Sequence, residues 1–193
     1  MPNQKQLDHE KFKLDHEKFT AQKIVSLCGE AAQFDRWGDP NQREPDVIFS
    51  AKDILGIEVT LASYQGDQDD PDFYVREQWK FVKEPTFDEQ GIHRTIDPKT
   101  GRSKGGDRMI ERLQVRCQKA IDQKCSKTYQ GIDRLWLGIY VWAPPTEPHE
   151  HDLVAQNLVV PNLNPFGRLF LLHRIVTGYR ALQIFPVITS YIS

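Results

Sequence analysis

This chain lacks most of the features that announce a function outright. It holds only 3 cysteines in 193 residues, and none is spaced Cys-x-x-Cys as a zinc site would require. Cys28, Cys117 and Cys125 sit inside amphipathic patterns and read as reduced, small core residues. No apolar run approaches the roughly 18–20 residues of a membrane span, and the polar, charged N-terminus is unlike a signal peptide. A cytoplasmic protein with no membrane partner is the expectation. An excess of one charge is also missing: 25 basic residues face 27 acidic ones. No global field therefore advertises nucleic acid, and any phosphate-binding surface must be local. There is no Walker-type Gly-rich loop, no strand-linked Gly-x-Gly-x-x-Gly and no nucleophile elbow. At this length, one domain with a real core is expected.

The informative residues lie between 43 and 60. Arg43-Glu44-Pro45-Asp46-Val47-Ile48-Phe49 is followed, after the polar bend Ala51-Lys52-Asp53, by Ile54-Leu55-Gly56-Ile57-Glu58-Val59-Thr60. Residues 46–50 and 54–62 are β-branched and apolar, which predicts the two antiparallel strands of a hairpin. If the bend is centred on Lys52, Asp46 lies directly opposite Glu58, with Cβ atoms roughly 4.5–5.5 Å apart. Two like charges there repel each other unless a cation intervenes. Mg²⁺, commonly held by one or two carboxylates plus water and substrate phosphate, removes that penalty. The plainer alternatives are a turn-capping Asp46 after proline and a solvent-facing Glu58 on a short edge strand.

Leu7-Asp8-His9-Glu10-Lys11-Phe12 recurs as Leu14-Asp15-His16-Glu17-Lys18-Phe19, a seven-residue duplication that stacks like residues on a helix. Residues 1–19 therefore read as a helical arm, with residues 20–193 forming the α/β domain. A metal or partner site at His9 and His16, or a homodimer formed through the arm, is the alternative. From Thr20, a plausible N-cap, to Phe34, the residues Ile24, Leu27, Cys28, Ala31 and Phe34 recur at helical spacing. Glu30 falls beside that stripe, where it could reach the active edge of a sheet.

Residues 63–106 are rich in Gly, Asp and Pro, with one candidate helix around 72–83 and a short strand near 91–96. They carry Arg94, Lys99, Arg102 and Lys104, with Arg108 just beyond, a basic loop suited either to phosphate contacts or simply to solvent. Asp107 to Tyr129 predicts a helix whose face is Ile110, Leu113, Cys117, Ala120 and Ile121, with Lys124 at the centre of that face. A lysine there breaks the binary pattern, which marks a functional position or a snorkelling side chain. Arg134–Ala143 is apolar at both strand faces and predicts a central strand that ends at Pro144-Pro145. Arg168–His173 and Leu182–Ile188 predict two further strands, joined through a loop or short helix containing Gly178. Pro148-His149-Glu150-His151-Asp152 alternates imidazoles in what reads as a loop, a transition-metal pattern without a distant partner.

Helix, hairpin, long excursion, helix and central strand, with Pro45-Asp46 and Glu58-Val59-Thr60 placed on them, resembles the PD-(D/E)xK nuclease superfamily over roughly residues 20–143. The resemblance implies a single restriction-endonuclease-like α/β domain: a central mixed sheet flanked by helices, with an αβββαβ core, here extended by C-terminal strands. It implies Mg²⁺ or Mn²⁺ bound by Asp46 and Glu58, with Glu30 as auxiliary carboxylate, and hydrolysis of nucleic acid, DNA foremost. Thr60 stands where that family has its lysine. Some members supply the lysine from the following helix, and Lys124, with Lys127 one turn later, resembles such a replacement. Arg94, Arg102, Lys104 and Lys127 are then the expected nucleic-acid contacts. The alternative is a nuclease-like fold that binds or assembles without catalysis.

Overall fold

The computed structural model describes residues 4–63, 104–146, 148–175 and 178–186, with side chains for 11–62, 110–142, 150–175 and 178–186. Helix α1 runs unbroken from Gln4 to Leu27. The arm expected over 1–19 and the helix expected from Thr20 are thus one element. Nothing between Asp15 and Phe19 breaks a helix, and Thr20, expected as an N-cap, is fully buried in its interior. The helix also stops before its apolar stripe does. Gly29 adopts a left-handed φ of 66°. Its amide donates to the Ser26 carbonyl at 3.2 Å while the Glu30 amide donates to that of Val25 at 3.1 Å, the bond pair by which a glycine closes a helix. Glu30 is therefore outside the helix, and Phe34 belongs to a strand.

Six strands follow among the described residues: β1 (Gln33–Trp37), β2 (Val47–Ser50), β3 (Ile54–Ser63), β4 (Arg134–Thr146), β5 (Arg168–Ile175) and β6 (Gly178–Phe185). Helix α2 (Lys104–Cys125) lies between β3 and β4, and α3 (Pro148–Ala155) between β4 and β5. The strands form one mixed sheet in the order β1-β2-β3-β4-β5-β6. β3, β4 and β5 are mutually parallel, and the outer pairs are antiparallel. Among the described residues the chain order is helix, three strands, helix and strand, with one strand, β1, ahead of the hairpin. The helix expected around 72–83 and the strand expected near 91–96 lie outside the described residues.

Each sheet face carries a helix. α1 covers Val47, Phe49, Leu55, Ile57, Val59, Trp136, Tyr140, Phe170 and Leu172, and α2 covers Ala62, Leu137, Ile139, Val141, Leu169 and Leu171. The expected α2 face is correct at Leu113, Cys117, Ala120 and Ile121, all buried. Cys28, Cys117 and Cys125 are free thiols. β4 is central and covered on both sides, as its apolar run predicts. It continues through Pro144-Pro145 to Thr146 by slipping register after Val141, since an irregularity is where a sheet tolerates proline. Pro148–Asp152, expected in a loop, opens α3, and Gly178 is the first residue of β6 instead of lying in a linker.

Candidate functional site

Asp46 immediately precedes β2. The hairpin pairs Val47 with Ile57 and Ser50 with Ile54, so one further step sets Asp46 opposite Glu58, as a bend centred on Lys52 requires. Two glycines hold the approach to Asp46. A Cβ on Gly38 would lie 1.7 Å from the Pro45 carbonyl oxygen, and one on Gly56 would lie 2.4 Å from Pro45 Cγ. Pro45 is thus gripped between β1's end and β3, and the Gly38 amide donates to the Asp46 carbonyl at 3.0 Å. Just upstream, Glu44 takes both fork nitrogens of Arg36, at 2.5 and 2.8 Å, and the Asp39 amide at 2.9 Å. The Arg36 guanidinium, helped by that amide, pulls the Glu44 carboxyl down to about 2.

The carboxylate pair itself is enclosed. Glu58 is 3% exposed, and its Oε1 accepts from Lys124 Nζ at 2.5 Å and Lys127 Nζ at 3.2 Å. Lys124 therefore points inward from α2 and does not snorkel. Asp46 Oδ2 accepts from the Val59 amide at 2.8 Å. Burial first, then the charge of Glu58, pushes the Asp46 carboxyl above its ordinary value, with Lys124 opposing. Thr60 shares Glu58's strand face, two residues on, is half-buried and brings no charge.

Glu17 joins this group although its sequence position did not suggest it. It is buried on α1 and lies 3.5 Å from Lys13. Its carboxyl is raised by burial and by Asp46, with Lys13 and Lys124 acting against the rise. The signal was present: Glu17, Thr20, Ala21, Ile24 and Cys28 follow i, i+3, i+4, i+7 spacing, and only the assumption of a helix start at Thr20 hid it. Glu30, expected in this role, lies elsewhere. It meets Arg134 at 3.0 Å, and Arg134 also meets Asp53 at 2.7 Å, because the Gly29 stop turns Glu30 toward the foot of β4. Tyr129 is a second addition. Its buried hydroxyl lies close to Glu58, and burial first, then the Glu58 charge, raises its pKa.

Most of the remaining expected contacts lie outside the described residues. Arg94, Lys99 and Arg102 lie outside the described residues, as do the side chains of Lys104 and Arg108; Lys104 begins α2. His16 is packed edge-on against Tyr140 at 4.7 Å, and His9's side chain lies outside the described residues. In the Pro148–Asp152 motif, His151 does find a distant partner: its ring stacks on buried His173 at 3.6 Å. Burial, then His151 and Arg180, pushes the His173 imidazole down to about 2.

Among the described residues, no group of three or more His, Cys, Asp or Glu side chains is arranged to hold a metal ion. A two-carboxylate site falls below that count and is what Mg²⁺ ordinarily uses. The bonds described above fall on Asp46 Oδ2 and Glu58 Oε1. Comparison of the chain with protein-family models, curated proteins and solved structures returns no match in any of the three.

Proposed function

We propose that this protein is a Mg²⁺- or Mn²⁺-dependent nuclease of the PD-(D/E)xK type, hydrolysing phosphodiester bonds of nucleic acid, DNA foremost. The observation that carries this reading is the Lys124 ammonium, delivered from α2 to within 2.5 Å of Glu58. Thr60 leaves the strand without its expected lysine, and α2 supplies a positive charge beside the same carboxylate. Asp46 and Glu58 would hold the ion, which when bound polarises a phosphate oxygen and lowers the pKa of a water. Lys124 orients the attacking water and offsets charge growing on the phosphate oxygens, a task suited to a preorganised cation in an enclosed site. Glu58 in turn fixes Lys124. Glu17 on α1 replaces Glu30 as the auxiliary carboxylate.

The rival reading is a non-catalytic binding module. It is favoured by one observation: Lys124 and Lys127 converge on a single oxygen of Glu58 and already supply it with countercharge. Incubation of the full chain with plasmid, linear and single-stranded DNA and with RNA, with Mn²⁺ or Mg²⁺, separates the two. The nuclease reading expects metal-dependent cleavage that Asp46→Asn and Glu58→Gln abolish, together with calorimetric Mn²⁺ binding that Asp46→Asn removes. Cleavage that survives either substitution, or that needs no metal, overturns it. An unchanged melting temperature across a Mn²⁺ series leaves the binding module, because a ligand bound only by the folded state must raise stability.

A further inference from the structure

Glu58 is met by two ammoniums that differ in how firmly they are held. Lys124 Nζ reaches its Oε1 at 2.5 Å from a side chain only 17% exposed, whereas Lys127 Nζ stands 3.2 Å from the same oxygen on a side chain 53% exposed. Lys124 is therefore the fixed partner. Lys127 lies beyond Cys125, the last residue of α2, tied to the helix by its amide, which donates to the Lys124 carbonyl at 3.1 Å. A half-exposed ion pair of this kind is worth at most about fivefold in an equilibrium, and a lysine carries its charge on a flexible four-carbon stem that can turn to another partner. Of the two, Lys127 is the one that can leave.

Charge balance supplies the reason to leave. In the metal-free protein the two lysines stand against the two carboxylates Asp46 and Glu58, and Glu17 has a partner of its own in Lys13. With a divalent cation held by Asp46 and Glu58, both ammoniums are in surplus, and like charges close together in an enclosed place repel strongly. An incoming phosphodiester brings negative charge to the same place, and an ammonium serves phosphate well as a point charge. We propose that Lys127 is an exchangeable cation: it covers Glu58 in the metal-free protein, yields that carboxylate to the metal, and then contacts a phosphate of the nucleic acid. Lys124 keeps its place on Glu58 in both states. The exchange rests on the nuclease reading and adds to it a link between metal and substrate, because one ammonium cannot serve Glu58 and a phosphate at once. It also accounts for the second lysine on Glu58, which a single water-orienting cation does not require.

Two affinities of Lys127→Met, measured on the full chain, test the exchange. A contact made in one state alone biases an equilibrium, and one made equally in both does not. Calorimetry is therefore expected to show Mn²⁺ bound up to about fivefold more tightly by Lys127→Met than by the wild type. Anisotropy of a labelled DNA oligonucleotide with cleavage-resistant phosphorothioate linkages, across a salt series, is expected to move the other way. With saturating Mn²⁺ the variant binds roughly fivefold more weakly and its log–log salt slope falls by about one, whereas in EDTA, where Lys127 is engaged by Glu58, it matches the wild type. Lys127→Arg keeps the charge and is expected to restore the slope; thermal melts check that both variants fold. Mn²⁺ affinity unchanged or weakened in Lys127→Met, DNA binding unchanged in Mn²⁺, or DNA binding weakened equally in EDTA and in Mn²⁺ each overturns the exchange, and metal-dependent wild-type cleavage that Asp46→Asn abolishes then leaves the nuclease reading standing. A wild-type chain that binds no Mn²⁺ overturns both.

Discussion

At the foot of β4, the Arg134 guanidinium lies between Glu30 and Asp53, at 3.0 and 2.7 Å. Farther along the same sheet, Asp46 and Glu58 face each other across a hairpin with Lys124 and Lys127 on Glu58 alone. The ingredients are alike, two carboxylates and basic side chains, but the wiring is not. Arg134 bridges both of its acids and is half-buried, so each charge in that cluster is answered by a hydrogen bond. In the hairpin, both lysines meet one oxygen of Glu58, Asp46 accepts the Val59 amide, and Glu17, with Lys13 beside it, adds a third carboxylate to the neighbourhood. The first arrangement stabilises the fold. The second leaves Asp46 beside a like charge in a buried place, where burial and Glu58 push its carboxyl above the ordinary value, an environment that on the proposed reading a bound cation would relieve.

The largest expected effect is on Lys124. Lys124→Met keeps the packing of the stem and removes the charge, so cleavage should fall by roughly 10²–10³-fold, while calorimetric Mn²⁺ affinity stays near that of the wild type. Activity that persists in this variant would erase the functional half of the contrast.

Next comes the grip on Pro45. Gly38→Val places a side chain where a Cβ alone would meet the Pro45 carbonyl, so the backbone entering Asp46 must shift. Urea unfolding should show a loss of about 1–3 kcal/mol, accompanied by weaker Mn²⁺ binding. A stability loss with Mn²⁺ binding intact would show that β1 does not position Asp46.

The two clusters should also respond oppositely to neutralisation in metal-free protein. Asp46→Asn removes a like charge and keeps an acceptor for the Val59 amide, so it should raise stability by on the order of 1 kcal/mol. Glu30→Gln should lower stability by up to about 1 kcal/mol and leave Mn²⁺ binding unchanged, whereas Glu17→Gln should weaken that binding. If Glu30→Gln weakens Mn²⁺ binding, the placement of the auxiliary carboxylate on α1 is wrong.

Acid titration gives the smallest effect and the sharpest sign. Asp46 holds its proton more tightly folded than unfolded, so between 3.8 and its raised folded value the native state carries the extra proton. Metal-free stability should fall as pH rises through that window, and Asp46→Asn should shrink the fall to the part that Glu17, raised by its own burial, contributes. Glu44 runs the other way. Its carboxyl stands at about 2 folded against 4.5 ordinarily, so its contribution is complete above 4.5 and is lost as pH drops toward 2. Urea melts of Glu44→Gln across that range should lack this loss.

The hairpin, its register and the direct opposition of Asp46 and Glu58 followed from local sequence, because period-two patterning and a bend centre dictate which residues face each other. The face of α2 and the inward position of Lys124 were legible for the same reason, a 3.6-residue period that one charged residue interrupts. The covered character of β4 was legible in its unbroken apolar run. Three other features required the tertiary structure. The end of α1 depends on the left-handed turn at Gly29, which moved Phe34 into β1 and Glu30 to Arg134. The place of Glu17 depends on how an uninterrupted α1 lies across the sheet. The place of Arg134 between Glu30 and Asp53 depends on which carboxylates long-range packing brings within reach. Periodicity reports the face a residue occupies within its own element. Only packing between distant elements decides which charge stands opposite it, and that opposition sets the electrostatic state of a buried carboxylate.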